Sequence, residues 1–125
     1  MAGVKESMLK HKQVYKARKV TGEADMFEEI WDKRVPHVSA VSNKPISQYE
    51  YLTRKCFAHV IPKKGFPRFR LLPENIEYLT WSEHTFWDNR TEEELQYRIS
   101  IGEDWDYMLR RETELKSLYK SGSVV

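Results

Sequence analysis

Apolar residues along the chain change from helical to extended spacing and back again. Residues 25–34 carry apolar positions at helical offsets behind a capping-box spacing, which predicts a short buried helix. Residues 36–46 indicate two short extended pieces around a Ser-Asn-Lys-Pro turn. The apolar run 57–61 and the alternating segment 75–79 are each predicted to be a strand. A loop of about a dozen residues separates these strands, which is long for a loop that has no functional reason.

The C-terminal part of the chain is predicted to be helical. Thr80 and Glu83 have capping-box spacing and open one helix, and Thr91 opens another, which Gly102 interrupts or kinks. A last helix, from about Glu103 to Tyr119, presents an apolar stripe that we expect to dock on the domain, with a homodimer as the alternative use. The stripe consists of Trp105, Met108, Leu109, Leu115, Leu118 and Tyr119.

Length and composition favour one small domain. With 125 residues, of which 40% are hydrophobic, the chain can bury one modest core. We divide it into a basic N-terminal helix or arm, residues 1–24, and a single domain with a helical extension, residues 25–125. No apolar run approaches a membrane span and the start has no apolar signal region, so we expect a cytoplasmic protein of a bacterium or a phage-infected host cell.

Positive charge is concentrated in two segments. Residues 1–20 carry six bases against one acid, and residues 54–70 carry six bases and no acid, whereas residues 91–120 are acidic overall. Two basic segments suit a polyanion such as DNA or RNA. A solvated surface is the alternative explanation for the N-terminal segment.

The predicted strands and the following helix carry residues that suit phosphodiester chemistry. His59 lies in the first strand, Asn75 at the start of the second and His84 in the helix, with Asp88 one turn later on the same helix face. Hydrolysis of a phosphodiester needs a base for the attacking water and a cation for the developing charge.

This order of elements resembles the ββα-metal core of the HNH endonuclease family over residues 27–89. The segment Phe27-Glu-Glu-Ile-Trp-Asp-Lys-Arg, the His-Val-Ile-Pro run and Asn-Ile directly after Pro-Glu add to the resemblance. It implies an α+β fold with a small ββα-metal (HNH-like) core and flanking N- and C-terminal helices. It also implies a metal-dependent DNA endonuclease of the sort carried by phages and mobile elements.

The resemblance assigns roles to individual residues. His59 corresponds to the general base, Asn75 to the residue that orients its imidazole, and His84 to a ligand of one divalent metal. Asp88 is placed to add a hard oxygen ligand, which suits magnesium or manganese better than zinc. Duplex or branched DNA is the expected substrate, with its phosphates held by Arg54, Lys55, Lys63, Lys64, Arg68 and Arg70.

The chain departs from the family pattern at two places. Ala58 stands where many members have a metal ligand just before the general base. Many relatives also bind a structural zinc through two Cys-x2-Cys pairs, and the matching positions here are Ser39, Ser42, Thr80 and Glu83. We therefore expect no structural zinc, with the Thr80 and Glu83 pair capping the helix instead.

Simpler explanations stand beside these assignments. His59 on an apolar strand is also consistent with a core histidine, and His84 with Asp88 is consistent with an exposed helical pair. Cys56 and His59 have the spacing of half a zinc site. Trp81, Phe86 and Trp87 are more typical of a core than of a stacking platform.

Two other functions remain open from the sequence. One is a catalytically silent HNH-like module that binds nucleic acid or a protein partner, for example a phage factor that inhibits a host enzyme. The other is a structural component of a phage particle that assembles through its C-terminal helices.

Overall fold

The computed structural model describes residues 22–122. The basic helix predicted over residues 5–20 lies outside them. The elements in chain order are α1 (Glu23–Lys33), α2 (Gln48–Leu52), β1 (Phe57–His59), β2 (Ile76–Tyr78), α3 (Trp81–Asn89), α4 (Glu92–Ser100) and α5 (Trp105–Ser121), with two 3-10 turns, Pro67–Phe69 and Pro73–Asn75, between the strands.

The two strands form an antiparallel pair at the centre of an α+β fold. Phe57 pairs with Tyr78, Ala58 with Glu77 and His59 with Ile76. Because side chains alternate along a strand, Phe57 and His59 lie on one face of β1 and Ala58 lies on the other. The sheet therefore separates the imidazole of His59 from the side on which Ala58 is buried.

Helix α1 covers the face of the sheet that carries His59. Phe27 of α1 stacks on Phe57 with ring centroids 4.5 Å apart and meets the imidazole of His59 edge-on at 6.3 Å. The apolar cluster between α1 and the sheet consists of Met26, Phe27, Ile30, Cys56, Phe57, Ile76 and Tyr78. Packing of α1 therefore fixes what lies next to His59.

The opposite face of the sheet packs against the C-terminal helices. Trp105, Met108 and Leu115 of α5 are fully buried, and Leu109, Leu118 and Tyr119 pack against the same core. The prediction that the α5 stripe docks on the domain is therefore confirmed. The apolar stripe of α5 packs against the core of the same chain.

The regular elements differ from their predicted bounds in instructive ways. The strands are shorter than predicted, because the backbone of Ile61 bonds to the Asn75 side chain rather than extending the ladder. Helix α1 begins at Glu23 and not at residue 25. Helix α2 was missed although Ser47 and Glu50 form a capping box, because its five residues bury no side chain that would show an apolar stripe.

The remaining predicted elements agree with the structure. Thr80 caps α3 through a capping box with Glu83, and Thr91 caps α4. The extended pieces before α2 meet at a bridge between Val38 and Pro45. In residues 22–122, no helix has the length and apolar character needed to cross a membrane.

Candidate active site

His59 ends β1 with its imidazole largely buried. Its Nε2 lies 3.0 Å from the backbone oxygen of Arg70, and its side chain is 11% exposed. A carbonyl oxygen can only accept, so Nε2 carries a proton and the neutral ring keeps its lone pair on Nδ1. Burial lowers the pKa of His59 and outweighs the opposing effect of the Arg70 carbonyl. The ring is therefore neutral near pH 7 and has a nitrogen that accepts a proton.

Asn75 is fully buried and holds the loop beside His59. Its Oδ1 accepts from the backbone N–H of Ile61 at 2.9 Å, and its Nδ2 donates to the carbonyls of Ile61 and Phe69 at 3.0 and 3.2 Å. The hydrogen bonds of the Asn75 side chain are therefore all made with backbone groups. The Arg70 carbonyl, 3.0 Å from Nε2 of His59, orients the ring, and Asn75 holds the segment that carries this carbonyl. The expected role of Asn75 in orienting the imidazole would therefore act through the backbone.

His84 and Asp88 lie together on the exposed side of α3. The Nδ1 of His84 donates to the carbonyl of Lys55 at 2.8 Å, and its Nε2 lies 3.3 Å from Oδ2 of Asp88. Burial lowers the pKa of His84, but the hydrogen bond with Asp88 and the Lys55 carbonyl outweigh it, so the pKa is raised. In the neutral ring the lone pair of Nε2 is directed toward the carboxylate.

A fifth side chain, which the sequence did not single out, completes this region. Glu23 of α1 accepts from Arg70 at 2.9 Å and from Lys63 at 3.2 Å, and its Oε2 lies 3.6 Å from Nε2 of His59. We call Glu23, His59, Lys63 and Arg70 the Glu23 cluster. Residue 23 is 36 positions from His59 in the sequence, and no local spacing connects the two; its place among the acids of the first turn of α1 was the one available signal.

The other predicted phosphate-binding cations are placed differently. Arg68 donates to the Tyr119 carbonyl at 2.5 Å and lies over its ring, so it ties the loop to α5. Arg54 pairs with Glu28 at 3.5 Å, and the Nζ of Lys55 lies 4.0 Å from the centre of the Trp81 ring. Lys64 is exposed on the loop. Of the six predicted cations, the structure gathers Lys63 and Arg70 around the carboxylate of Glu23, next to His59.

Aromatic side chains of the loop and α3 are divided between core and surface. Phe69 is buried and packs beneath the loop against Tyr119, and Phe86 and Trp87 belong to the core. Trp81 is 46% exposed. The expectation of a core role is therefore correct for Phe86 and Trp87 and wrong for Trp81.

Ala58 supplies no metal ligand, and the alternative half zinc site at Cys56 and His59 is disfavoured. Ala58 is fully buried, on the sheet face away from His59. Burial raises the pKa of Cys56 to about 12, which disfavours the thiolate that zinc needs. Within residues 22–122, no group of three or more His, Cys, Asp or Glu side chains is arranged to hold a metal ion.

The four positions that match the family's zinc ligands meet in a hydrogen-bonded cluster. Glu83, 2% exposed, accepts from Oγ of Ser39 at 2.6 Å and from Oγ of Ser42 at 2.5 Å. The backbone N–H of Thr80 donates to the same carboxylate at 2.8 Å, and Oγ1 of Thr80 accepts from the N–H of Glu83. We call these residues the Glu83 cluster. The capping prediction for Thr80 and Glu83 is confirmed, and the carboxylate also joins two segments that are about forty residues apart.

Comparison with known proteins gave no relative: no family model, curated protein or solved structure matches this chain.

Proposed function

We propose that the chain is a metal-dependent endonuclease of the HNH type that hydrolyses phosphodiester bonds in DNA. The observation that carries the proposal is the arrangement of the two imidazoles. Each ring donates one N–H to a backbone carbonyl, so that in its neutral form a lone pair is left on Nδ1 of His59 and on Nε2 of His84. One ring is thereby suited to accept a proton, and the other to bind a cation. The two imidazoles thus fit the separate roles of general base and metal ligand that the family resemblance implies.

The residues around His59 suggest how the chain acts on a phosphodiester. A water oxygen attacks phosphorus, and its proton passes to Nδ1 of His59 as the new P–O bond forms and the bond to the leaving oxygen breaks. The leaving oxygen takes its proton from solvent. Lys63 and Arg70 supply positive charge beside His59. Among residues 22–122, Nε of Arg70 and Nη1 of Arg54 are buried without a hydrogen-bond partner.

His84 and Asp88 fit a weakly held divalent cation. Neighbouring ligand atoms around an octahedral magnesium ion, each about 2.1 Å from it, lie about 3 Å apart. The 3.3 Å between Nε2 of His84 and Oδ2 of Asp88 is close to this spacing. The Lys55 carbonyl fixes the tautomer of His84, as is usual for metal-binding histidines. Such an ion, held by His84 and Asp88, would stabilise the negative charge that develops in the transition state.

The Glu83 cluster supports the family resemblance independently of the site. The resemblance pairs residues 39 and 42 with residues 80 and 83, although a long stretch of chain separates the pairs. The hydrogen bonds from Ser39 and Ser42 to Glu83 bring these positions together. A carboxylate with hydroxyl donors can join the two segments where the relatives use zinc, so we propose a single divalent metal, magnesium or manganese, and no structural zinc.

Metal-dependent cleavage of supercoiled plasmid DNA tests the proposal. We expect nicking with magnesium or manganese and none with chelator. His84→Ala should lose both nicking and divalent-metal binding, and Asp88→Ala should lose less of each. Asp106→Ala, a change of an exposed aspartate on α5, is the matched control and should cut like wild type. Failure of wild type to cut duplex, single-stranded and branched DNA under all metal conditions would contradict the proposal.

A catalytically silent DNA-binding or protein-binding module is the second candidate. The burial of Ala58 favours it, because the position that commonly supplies another metal ligand contributes none here. In that case the basic loop would still bind DNA, or a protein partner would cover it. Salt-sensitive DNA binding without cleavage by wild type would select this candidate.

A further inference from the structure

Glu23 lies beside His59 because of the way α1 packs. Phe27 and Glu23 are four residues apart and so lie on the same face of the helix. The ring of Phe27 stacks on Phe57 and touches the edge of the imidazole of His59. This packing places the first residue of α1 over the end of β1. The side chain of Glu23 is only 14% exposed there.

The carboxylate of Glu23 contacts the protonated side of the imidazole. Its Oε2 is 3.6 Å from Nε2 of His59, the same nitrogen that donates to the Arg70 carbonyl at 3.0 Å. The opposite nitrogen, Nδ1, is the one left to accept a proton. When Nδ1 accepts, the ring becomes cationic, and a carboxylate on the Nε2 side stabilises that cation.

The carboxylate of Glu23 also offsets the positive charges that face His59. Lys63 and Arg70 come from the loop and His84 from α3. The positive charges of Lys63 and His84 oppose protonation of His59, whereas the negative charge of Glu23 favours it. Removing the carboxylate would leave two loop cations beside the ring without their shared anion. Burial raises the pKa of Glu23, but Arg70 and Lys63 outweigh it and hold the pKa below its usual value, so the carboxylate is ionised at neutral pH.

We propose that Glu23 is the positioning residue of the general base, holding the imidazole of His59 in place and stabilising its cationic form. Through its contacts with Lys63 and Arg70, it also keeps the phosphate-binding cations next to the base until substrate arrives. This inference rests on the nuclease function proposed above. Glu23 touches neither water nor phosphate in this scheme; it acts through His59 and the loop.

A positioning role of Glu23 predicts a specific pattern of kinetic changes. Loss of the carboxylate should lower kcat tenfold to about 10²-fold, the size expected when a reacting group is misplaced. KM should stay the same or fall, because Lys63 and Arg70 no longer have a competing carboxylate. The acidic limb of the pH profile should move to lower pH, since His59 loses an anion that favours its protonation.

Glu23→Gln and Glu23→Asp are the test variants, with Glu29→Gln as the matched control. Glu29 lies on the same helix, is 62% exposed and pairs with Lys33. Two measurements are made on each full-length protein: the NMR titration of His59 without metal, and kcat, KM and the pH profile of plasmid nicking at saturating magnesium. Circular dichroism checks that each variant is folded.

We expect Glu23→Gln to shift the His59 titration to lower pH and to lower kcat without raising KM. Glu23→Asp should recover part of both effects, and Glu29→Gln should resemble wild type. If wild type cuts, an unmoved His59 titration in folded Glu23→Gln overturns the Glu23 proposal alone. Glu23→Ala takes its place in this comparison if the glutamine variant does not fold. A wild type that cuts no DNA overturns the nuclease function and the base-positioning role together, whatever the titration shows.

Discussion

Two carboxylates, the buried Glu83 and the partly buried Glu23, each hold distant segments together, and their hydrogen-bond partners differ in kind. Glu83 is held by neutral donors, the hydroxyls of Ser39 and Ser42 and the backbone N–H of Thr80. Glu23 is held by the cations of Lys63 and Arg70 and lies beside the imidazole of His59. In the Glu83 cluster, Ser39 and Glu83 are buried and Ser42 and Thr80 half-buried, whereas the side chains of Lys63 and Arg70 are 47% and 35% exposed.

The difference between donors suggests a difference in role. Hydroxyl and backbone donors at fixed positions satisfy a carboxylate permanently and so stabilise the fold around it. Cations at the edge of solvent can exchange a carboxylate for another anion, such as phosphate, at little cost. On this account, the Glu83 cluster stabilises the fold, and the Glu23 cluster belongs to the functional site. Substitutions in the first should mainly change stability, and substitutions in the second should mainly change DNA binding and cleavage.

Glu83→Ala should give the largest change in stability. It leaves the buried Ser39 hydroxyl without its acceptor and removes the capping box of α3, a combined loss of about 2–4 kcal/mol in the free energy of unfolding. Urea denaturation measures it. Glu93→Ala, at an exposed position on α4, should change stability by less than about 0.5 kcal/mol. Equal losses in the two variants would remove the scaffold role from Glu83.

The affinity for DNA should fall steeply with salt concentration, because the cations of the loop beside Glu23 bind phosphates. Each neutralised phosphate contributes about −0.9 to the slope of log affinity against log salt concentration. Lys63→Ala should therefore reduce the slope by about 0.9, as should Lys64→Ala, if each contacts one phosphate. Lys44→Ala, at an exposed turn, should leave it unchanged. Fluorescence anisotropy between 50 and 200 mM salt, about the range over which such effects are large, makes the comparison. A flat salt dependence in wild type would contradict a DNA-binding loop.

Acid should weaken the Glu23 cluster in a defined direction. The folded protein holds the pKa of Glu23 below its ordinary value of 4.5, so the contribution of Glu23 to stability is fully present above pH 4.5. It is lost as the pH falls through the lower, folded value. Melting temperatures at pH 7 and pH 3 should therefore differ less for Glu23→Gln than for wild type. The same pH dependence in both proteins would show that the ion pairs with Lys63 and Arg70 do not stabilise the fold.

Chelator should leave the fold unchanged, the smallest effect of all. The four positions of the Glu83 cluster have no thiolate, and their polar groups already satisfy one another. The melting temperature should stay within a few degrees with and without chelator. A fold that collapses in chelator, or that retains stoichiometric zinc, would contradict the assignment of this cluster.

Local sequence patterns predicted the helices and strands well, whereas contacts between distant parts of the chain could not be predicted from them. The apolar run at β1, the alternation at β2, the caps at Thr80 and Thr91 and the α5 stripe were all visible in the sequence. The role of Glu23 was not, because it depends on the angle at which α1 packs. The backbone partners of Asn75 were not predicted for a related reason: these partners, Ile61 and Phe69, lie on a loop whose path follows from two proline-started 3-10 turns.

Single-turnover cleavage by wild type and His59→Ala, both at saturating magnesium or manganese, tests the central claim most directly. Loss of the base should slow cleavage by about 10² to 10⁴-fold while stability and DNA binding stay close to wild type. His37→Ala, which removes a histidine that stacks on Trp31 and packs against Tyr78, should cut at the wild-type rate even if it is less stable. Metal-dependent cleavage that proceeds equally fast in His59→Ala would contradict the assignment of His59 as the base.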